Sequence, residues 1–476
     1  MKKILIFLFA ILIIAIYSPT LSSVTVKINI GLTNIKPFDS KIIFKYFESP
    51  YEYGKWVGKN LKIYFSIIKL KNIFAKEESL TNLELLSEKK DSSELMNFSY
   101  EELRGLSDGL NINIRSLGTI LEHFTDCFLK GECTTTLSTS PGTKKGETYL
   151  TQNFDGEFSF PDIFTILIYH YFTWRCWVVK IGDNFGYAFW GIPLLWEIPF
   201  LNEKGLGMGG NGIHLSENRP VDEGDGISKY WLERHAMRTC KNVVEVATLI
   251  DNSERASGRN NRWPHMWDNS VYVLCDNLGG IVMIEQMHDN FIAVFGNDTN
   301  ITHTREGILW HTNHHQWLDP NLTGSVFPFE YKSSQKRGER ALELLNSSDN
   351  YGKITIDTCM NIMKDHQGGT NSSKKDSSDI CRHPDKIDHG FTMFSWIIKP
   401  KDMKVYWTHG CPCRHRYVEY DFYSIFKFNN CSLSKNIEKH DFSILTKNNI
   451  RLYLSEILKK NYFFPCDILY LFQNFL

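Results

Sequence analysis

The sequence predicts a layered α+β fold. Upstream of Cys133 apolar residues recur at three- and four-residue spacing, the period of amphipathic helices. Downstream, short β-branched or aromatic runs separated by turn residues come in hairpins and alternate with helix pairs. Hairpins beside helix pairs favour layered α+β over a parallel α/β sheet.

The elements follow in order. "YEYGKWVGKNLKIYFSIIKLKNIFAKE" reads as a helix, and "SYEELRGLSDGLNINIRSLGTILEHF" as another, opened by a capping box in which Ser99 precedes Glu102 by three residues. "TYLTQNFD", "NSVYVLCD", "GGIVMIEQ" and "NFIAVFG" read as strands. "SKYWLERHAMRTC", "NVVEVATLID", "SSQKRGERALELLN" and "TIDTCMNIMKDH" read as helices. "TMFSWIIKP" and "MKVYWTHG" form a last hairpin turned at Lys401-Asp402. The apolar stretch from Phe158 to Val179 is expected to form a buried wall or a pocket lid. No internal repeat is evident.

The chain has 476 residues, 42% hydrophobic and 14% aromatic, with a net charge of -1. That suffices for one large core or two ordinary ones. Near-neutral charge without a basic, aromatic-interleaved run argues against a nucleic-acid partner. Lys2 and Lys3 precede an apolar run from Ile4 to Tyr17, followed by small residues at Ser18, Thr20, Ser22 and Ser23. This is the pattern of a secretory signal peptide, and the run is shorter than the ~20 residues of a membrane span. Asn97, Asn297, Asn300, Asn321, Asn346, Asn371 and Asn430 stand in glycosylation sequons. The expected location is the secretory pathway, with the product secreted or held in a lysosome- or vacuole-like compartment, and no stable membrane span after signal removal.

Eleven cysteines in an oxidising compartment imply disulfides and at least one unpaired thiol. Cys133 is the candidate free thiol. Cys127, Cys176, Cys240, Cys275, Cys359, Cys381, Cys411, Cys413, Cys431 and Cys466 are then available to pair. Cys411-Pro-Cys413 lacks the spacing of a redox motif and reads as disulfide partners.

Two patterns look functional and are set aside. Gly205 to Gly210 matches G-x-G-x-x-G, but no helix follows it as a dinucleotide site requires. His311, His314 and His315 lack a carboxylate or cysteine at zinc spacing and read as a hydrogen-bonded strand end. No metal and no cofactor is expected.

"GECTTTLS" around Cys133 differs in kind. A thiol attacks a carbonyl as the thiolate, so a base must take its proton. Nothing there resembles the helix-opening context of papain-like enzymes. The alternative base is the α-amino group of the cysteine itself, whose ordinary value near 8 suits proton transfer. Using it requires cutting the chain before Cys133, between the helical and the strand-rich segments.

Several motifs then agree in order with one family. Cys133-Thr134, "QNFD" (Gln152 to Asp155), "NEKGLGMGGNGI", "NSVYVLCDNLGGIVMIE", "TNH" (Thr312 to His314), "SSQKRGER", "ICRHPD" and "GCPC" resemble the acyl-coenzyme A:6-aminopenicillanic acid acyltransferase family, the autoproteolytic cysteine hydrolases of peptidase family C45. The resemblance covers roughly Phe98 to Phe422. It implies a four-layer αββα sandwich of the N-terminal-nucleophile type. It implies Cys133 as cleavage-site nucleophile, Asp155 as holder of the new amine, Asn269 as oxyanion donor with Asn211 beside the nucleophile, and Arg337 as the active-site arginine orienting Asp155 and lowering the thiol pKa. The chain departs from the family in Glu132, where glycine is usual, in Phe154 for tryptophan, and in a longer loop between Cys133 and Asp155.

The implied organisation is a signal peptide over 1–22, a helical pro-segment over 23–132 that becomes a small subunit, a catalytic domain over 133–434 and an extension over 435–476. The implied function is amide hydrolysis or acyl transfer on a small-molecule amide or acyl substrate through an acyl-thioester, the two subunits staying together after self-cleavage. The alternatives are a phospholipase-B-like lipid amidase or esterase on the same scaffold and a catalytically silent secreted binding protein.

Overall fold

The computed structural model describes residues 41–71, 93–114, 117, 131–156, 175–213, 226–256, 270–302, 304–319, 328–366, 378–383 and 391–428. The segment read as a signal peptide, the stretch read as a C-terminal extension, Asn269 and the first part of the apolar stretch after Phe158 lie outside them.

Alternation along the strands builds two sheets. The larger has the order β1 (Lys41–Phe47), β4 (Arg175–Ile181), β5 (Tyr187–Ile192), β6 (Trp196–Asn202), β7 (Leu206–Gly212), β8 (Ser270–Asp276), β9 (Ile281–Gln286), β10 (Phe291–Phe295). The smaller has the order β11 (Ile308–His311), β2 (Gly131–Ser138), β3 (Tyr149–Gly156), β12 (Phe391–Lys399), β13 (Lys404–His409), β14 (Val418–Asp421). Pairing is antiparallel throughout except between β1 and β4.

Successive residues point to opposite faces, and both faces of the larger sheet are apolar. Trp177, Val179, Phe189, Phe200, Tyr272 and Leu274 pack with residues of four helices: α1 (Pro50–Lys71), α2 (Glu94–Leu110), α3 (Lys229–Thr239) and α4 (Val243–Asp251). The alternate residues Cys176, Val178, Ala188, Trp190, Val273 and Cys275 pack on Leu150, Phe394, Trp396 and Trp407 of the smaller sheet. On the far side of that sheet, Tyr149 and Ile397 meet Ala341, Leu345, Cys359 and Ile362 of α5 (Pro328–Asn346) and α6 (Ile356–Met363). Helices, sheet, sheet, helices: the fold is the αββα sandwich. Strands buried on both faces also explain why runs such as "SVYVLCD" are continuously apolar.

Four glycines set how closely α1 and α2 approach. A Cβ on Gly54 would stand 1.9 Å from the Glu102 carbonyl oxygen, and one on Gly105 2.0 Å from that of Tyr51. Gly58 and Gly109 face each other one turn along in the same manner. The two backbones therefore touch, which no larger residue permits.

Three expectations are corrected. The helix expected to start at Ser99 begins at Glu94, capped by Ser93, whose side chain accepts from the Met96 amide. Ser99 and Glu102 are buried inside it. The earlier serine wins because its extended backbone presents its oxygen to the free amides of the first turn. The segment before Cys133 is not only helical, since "KIIFKYF" adds β1 to the larger sheet. Lastly, no disulfide joins any two of the eight described cysteines, so Cys411 and Cys413 are not paired with each other and Cys133 is not set apart from the other seven on that count. Among the described residues no helix is long and apolar enough to cross a membrane.

A buried ion cluster joins the two sides of Cys133. Arg234 donates to both carboxylate oxygens of Glu102 at 2.7 and 2.9 Å and to Glu197 at 3.1 Å, while Arg238 donates to Glu102 at 2.8 Å. The Tyr53 hydroxyl donates to Glu197 at 2.9 Å. Removing one partner of such a cluster strands a charge in the core. Glu102→Ala is therefore expected to cost about 3–5 kcal/mol, read as a lowered midpoint in denaturant unfolding. A loss below about 1 kcal/mol would show that the cluster does not hold α2 to α3.

Candidate active site

Cys133 lies in β2, at the level where its neighbour β11 has ended. The last β11 pair is His311 with Thr135, two residues past Cys133. At that edge the main chain of Cys133 is met by side chains. Its amide donates to Asn313 Oδ1 at 2.8 Å, and its carbonyl oxygen accepts from Arg337 Nη1 at 2.6 Å. On the other edge Cys133 pairs with Phe154 and Glu132 with Asp155.

The side chains divide by strand alternation. Cys133 and Phe154 face the inter-sheet core. Gln152 and Asn211 lie in the same layer: Gln152 donates to Asn211 Oδ1 at 3.3 Å, Thr135 donates to that same oxygen, and Asn211 Nδ2 donates to the Thr312 carbonyl at 3.1 Å. Glu132 meets the guanidinium of Arg337, whose helix α5 covers the outer face of the smaller sheet.

Arg337 is fully buried. Beyond the Cys133 carbonyl, its Nη1 donates to Thr134 Oγ1 at 2.8 Å, and its Nη2 to Glu132 Oε2 at 2.6 Å and to Asn313 Oδ1 at 2.9 Å. Its approach to Asp155 is longer, 3.9 Å to Oδ2. The expected orienting of Asp155 falls instead to Thr392, whose hydroxyl donates to Asp155 Oδ1 at 2.7 Å. The guanidinium directs its hydrogen bonds at the Cys133 carbonyl, Thr134, Glu132, Asn313 and Ser333, and meets Asp155 only as this longer ion pair. Asp155 Oδ2 is buried without a hydrogen-bond partner.

Electrostatics follow from this burial. The Cys133 thiol is pushed up to about 12, first by burial and then by the charge of Asp155; hydrogen bonds from Gln152 and the Gly212 backbone and the charge of Arg337 act the other way and lose. Arg337 thus pulls in the expected direction without lowering the thiol overall. Burial raises Asp155 to about 6 against the pull of Arg382, Arg337 and Thr392. In the uncut chain the thiol stays protonated at neutral pH.

Asn211 and Arg337 therefore stand with Cys133 and Asp155 in one buried cluster, and β8 begins one residue after Asn269, at Ser270, paired with Gly212. Asn269 itself lies outside the described residues. Asn313, Glu132, Thr392 and Arg382 belong to the cluster and were missed, although "TNH" and "ICRHPD" contain two of them. Arg382 Nη1 lies 2.7 Å from Glu132 Oε2, so Glu132, placed where glycine was expected, is held by two arginines. The histidines set aside earlier form a hydrogen-bonded strand end. His311 Nε2 lies 2.8 Å from Glu285 Oε1, which also accepts from the Gln316 amide at 2.6 Å. Burial opposes the charge of Glu285, but His311 and His315 hold it well below the usual carboxylate range. Burial lowers His314 to about 3.

Residues 200–412 match the sequence profile of the family described as acyl-coenzyme A:6-aminopenicillanic acid acyl-transferase. Over that span, a little under half of the chain, the sequence is similar to this acyltransferase family. The span contains Asn211, Asn269, Asn313, Arg337 and Arg382; Cys133 and Asp155 precede it. No curated protein matches the chain. Among solved structures it is similar to a mutant of conjugated bile acid hydrolase from Clostridium perfringens, at 15% identity and TM-score 0.36, over 61% of this chain and 92% of that one. It is also similar to penicillin V acylase from Agrobacterium tumefaciens, at 10% identity and TM-score 0.31, over 60% and 76%. The layer order stands on this chain's own packing and not on these likenesses.

The raised Asp155 carries a stability signature. Its carboxyl binds its proton more tightly folded than unfolded, so the native state loses stability as pH rises from about 4 to about 6, and the loss is complete above that. Asp155→Asn is expected to stabilise the protein by about 3 kcal/mol at pH 7 and by nothing near pH 3.5. Urea unfolding at the two pH values checks this, and a gain that does not depend on pH would contradict it.

Proposed function

We propose that this protein is an amide hydrolase or acyltransferase that cuts its own chain before Cys133 and then uses Cys133 as an N-terminal nucleophile. The observation that carries the reading is the clamp on the Cys133 main chain. In a strand whose neighbour has stopped, its nitrogen is held by Asn313 Oδ1 and its carbonyl by Arg337. An acceptor aimed at a backbone nitrogen is what a free α-amine needs in order to be kept in place beside its own thiol.

Two steps follow. In maturation, the Cys133 sulfur adds to the Glu132 carbonyl carbon, the Glu132–Cys133 C–N bond breaks, and the nitrogen leaves as an amine. Water then cleaves the resulting thioester, freeing the Glu132 carboxylate and the thiol. In turnover, the new amine takes the thiol proton, and the thiolate attacks the substrate amide. The ammonium returns that proton to the leaving amine, and water or an acceptor amine takes the acyl group from sulfur. Asn269 is assigned as donor to the oxyanion. Asn211 is the lesser candidate because its amide already donates to the Thr312 carbonyl. Asp155 stays behind β2 as a negative charge that favours the ammonium. With the thiol raised in the uncut chain, the maturation step passes the thiol proton to the Cys133 nitrogen as that nitrogen leaves, whereas in turnover the free amine is already there to take it.

A place in the secretory pathway is supported by the basic-apolar N-terminal pattern and by exposed side chains at the sequons of Asn97, Asn297 and Asn300.

Intact mass and N-terminal sequencing test the cut. Wild type is expected to give two chains, the larger starting at Cys133, and Cys133→Ala to remain one chain. A wild type that stays whole under conditions where it turns over substrate would remove the amine as base. For the oxyanion, Asn269→Ala is expected to lower turnover of fully cleaved enzyme by about a hundredfold or more, with Asn211→Ala costing less. Near-normal turnover of cleaved Asn269→Ala would move that role elsewhere.

A further inference from the structure

A second cluster of chemically capable side chains lies apart from Cys133. His366 follows α6, Cys381 and His383 precede β12, and Cys413 lies in the turn after β13. Their ligand atoms, one from each residue, all fall within 4.8 Å of one another. His366 Nε2 and His383 Nε2 face each other at 3.1 Å. The sulfurs of Cys413 and Cys381 stand 3.3 and 3.8 Å from that same His383 nitrogen. Around a tetrahedral zinc, bonds of about 2.0 Å to nitrogen and about 2.3 Å to sulfur set neighbouring donors about 3.3–3.8 Å apart. The three separations from His383 Nε2, at 3.1, 3.3 and 3.8 Å, are close to these values, and all four donors lie within 4.8 Å of one another.

We propose that His366, Cys381, His383 and Cys413 bind one zinc ion as a closed structural site. Two thiolates with two imidazoles and no carboxylate select zinc over magnesium, calcium or manganese, and four protein ligands leave no open position for catalysis. Binding releases both thiol protons, so the doubly charged ion and two thiolates leave the centre neutral. That suits its burial: His366, Cys381 and His383 are all under 5% exposed. His366 Nδ1 is buried with no hydrogen-bond partner, so the hydrogen bond of this ring is the one directed at the cluster.

The neighbouring residues fit the same assignment. Cys411 is not a ligand: its sulfur lies 3.8 Å from the other ring nitrogen of His383 and contacts the carbonyls of Arg382 and Thr392 at 3.7 and 3.5 Å. It orients the ring from behind, as groups beside metal-bound histidines do. Asn153 Nδ2 donates to the carbonyls of Met363 and Ile380, at 2.9 and 2.7 Å, and so fixes the segments that carry His366 and Cys381. The two sulfurs expected to join in a disulfide, those of Cys411 and Cys413, instead address opposite nitrogens of one imidazole.

The ion has a place in the architecture. Arg382 lies between two ligands, pairs with Glu132, and through its amide holds Thr392, which holds Asp155. A zinc at this position makes Arg382 a fixed post; that consequence rests on the proposed reaction, whereas the metal assignment does not.

The test uses the full chain purified without chelator. Elemental analysis is expected to find about one zinc per chain in wild type, in Cys133→Ala and in Cys411→Ser, and background in Cys381→Ser/Cys413→Ser. Cobalt exchanged into wild type should give thiolate charge-transfer bands and the visible bands of a tetrahedral ion. Should the double variant fail to fold, a mercurial titration of wild type settles the point by releasing zinc as thiols react. Folded wild type that takes up no stoichiometric zinc on add-back, a disulfide at Cys381 or Cys413 by non-reducing peptide mapping, or unchanged zinc in the double variant would each overturn the site. Wild type that stays uncut while turning over substrate, yet holds stoichiometric zinc, would overturn the proposed reaction and leave the metal assignment standing, so the two readings fail separately.

Discussion

The guanidinium of Arg337 is the constraint on which the site depends. It is fully buried, so its donors must all be met inside the protein, and they are met by the Cys133 carbonyl, Thr134, Glu132, Asn313 and Ser333. These contacts fix the main chain on both sides of the Glu132–Cys133 bond. A buried cation also needs a counter-charge, and Glu132 supplies it. The residue that departs from the family's glycine is therefore no passive substitution. Its carboxylate is shared by Arg337 and Arg382, which ties helix α5 and the segment before β12 to the same strand.

The same economy holds at the early end of β11. Had that strand run two residues further, its backbone would have taken the amide and carbonyl of Cys133 as an ordinary ladder. Because it stops opposite Thr135, the edge is open to side chains, and Asn313 enters. Under the proposed reaction a gap in the sheet is the condition for chemistry, since only a nitrogen left out of the ladder on that side can be held by a side chain.

The layered α+β class was legible in the chain, because hairpin runs and helical periods can be told apart, while the αββα order was available only through the resemblance. The cluster around Cys133 was legible in its residue types but not in its contacts. Arg337 was expected to orient Asp155, yet distance in sequence carries no information on which of several acceptors a buried fork will reach. Thr392 does that work and gives no sequence signal, being one threonine in a strand. β1 was missed because seven alternating residues stand against a long helical background. The His366, Cys381, His383 and Cys413 group was missed because its ligands come from three separated segments, and only the fold brings them together.

The first strand carries a consequence for the life of the protein. β1 is hydrogen-bonded along its length to β4, α1 and α2 touch each other backbone to backbone, and the Glu102 ion cluster ties α2 to α3, which follows Cys133. A cut before Cys133 would therefore leave two polypeptides woven into one body. Unfolding of such a body separates pieces that must afterwards find each other by diffusion. Refolding then depends on concentration, and persistence becomes a matter of how slowly the first opening occurs. The uncut precursor would be the only form able to fold as a single chain, and the cut form would endure by never needing to.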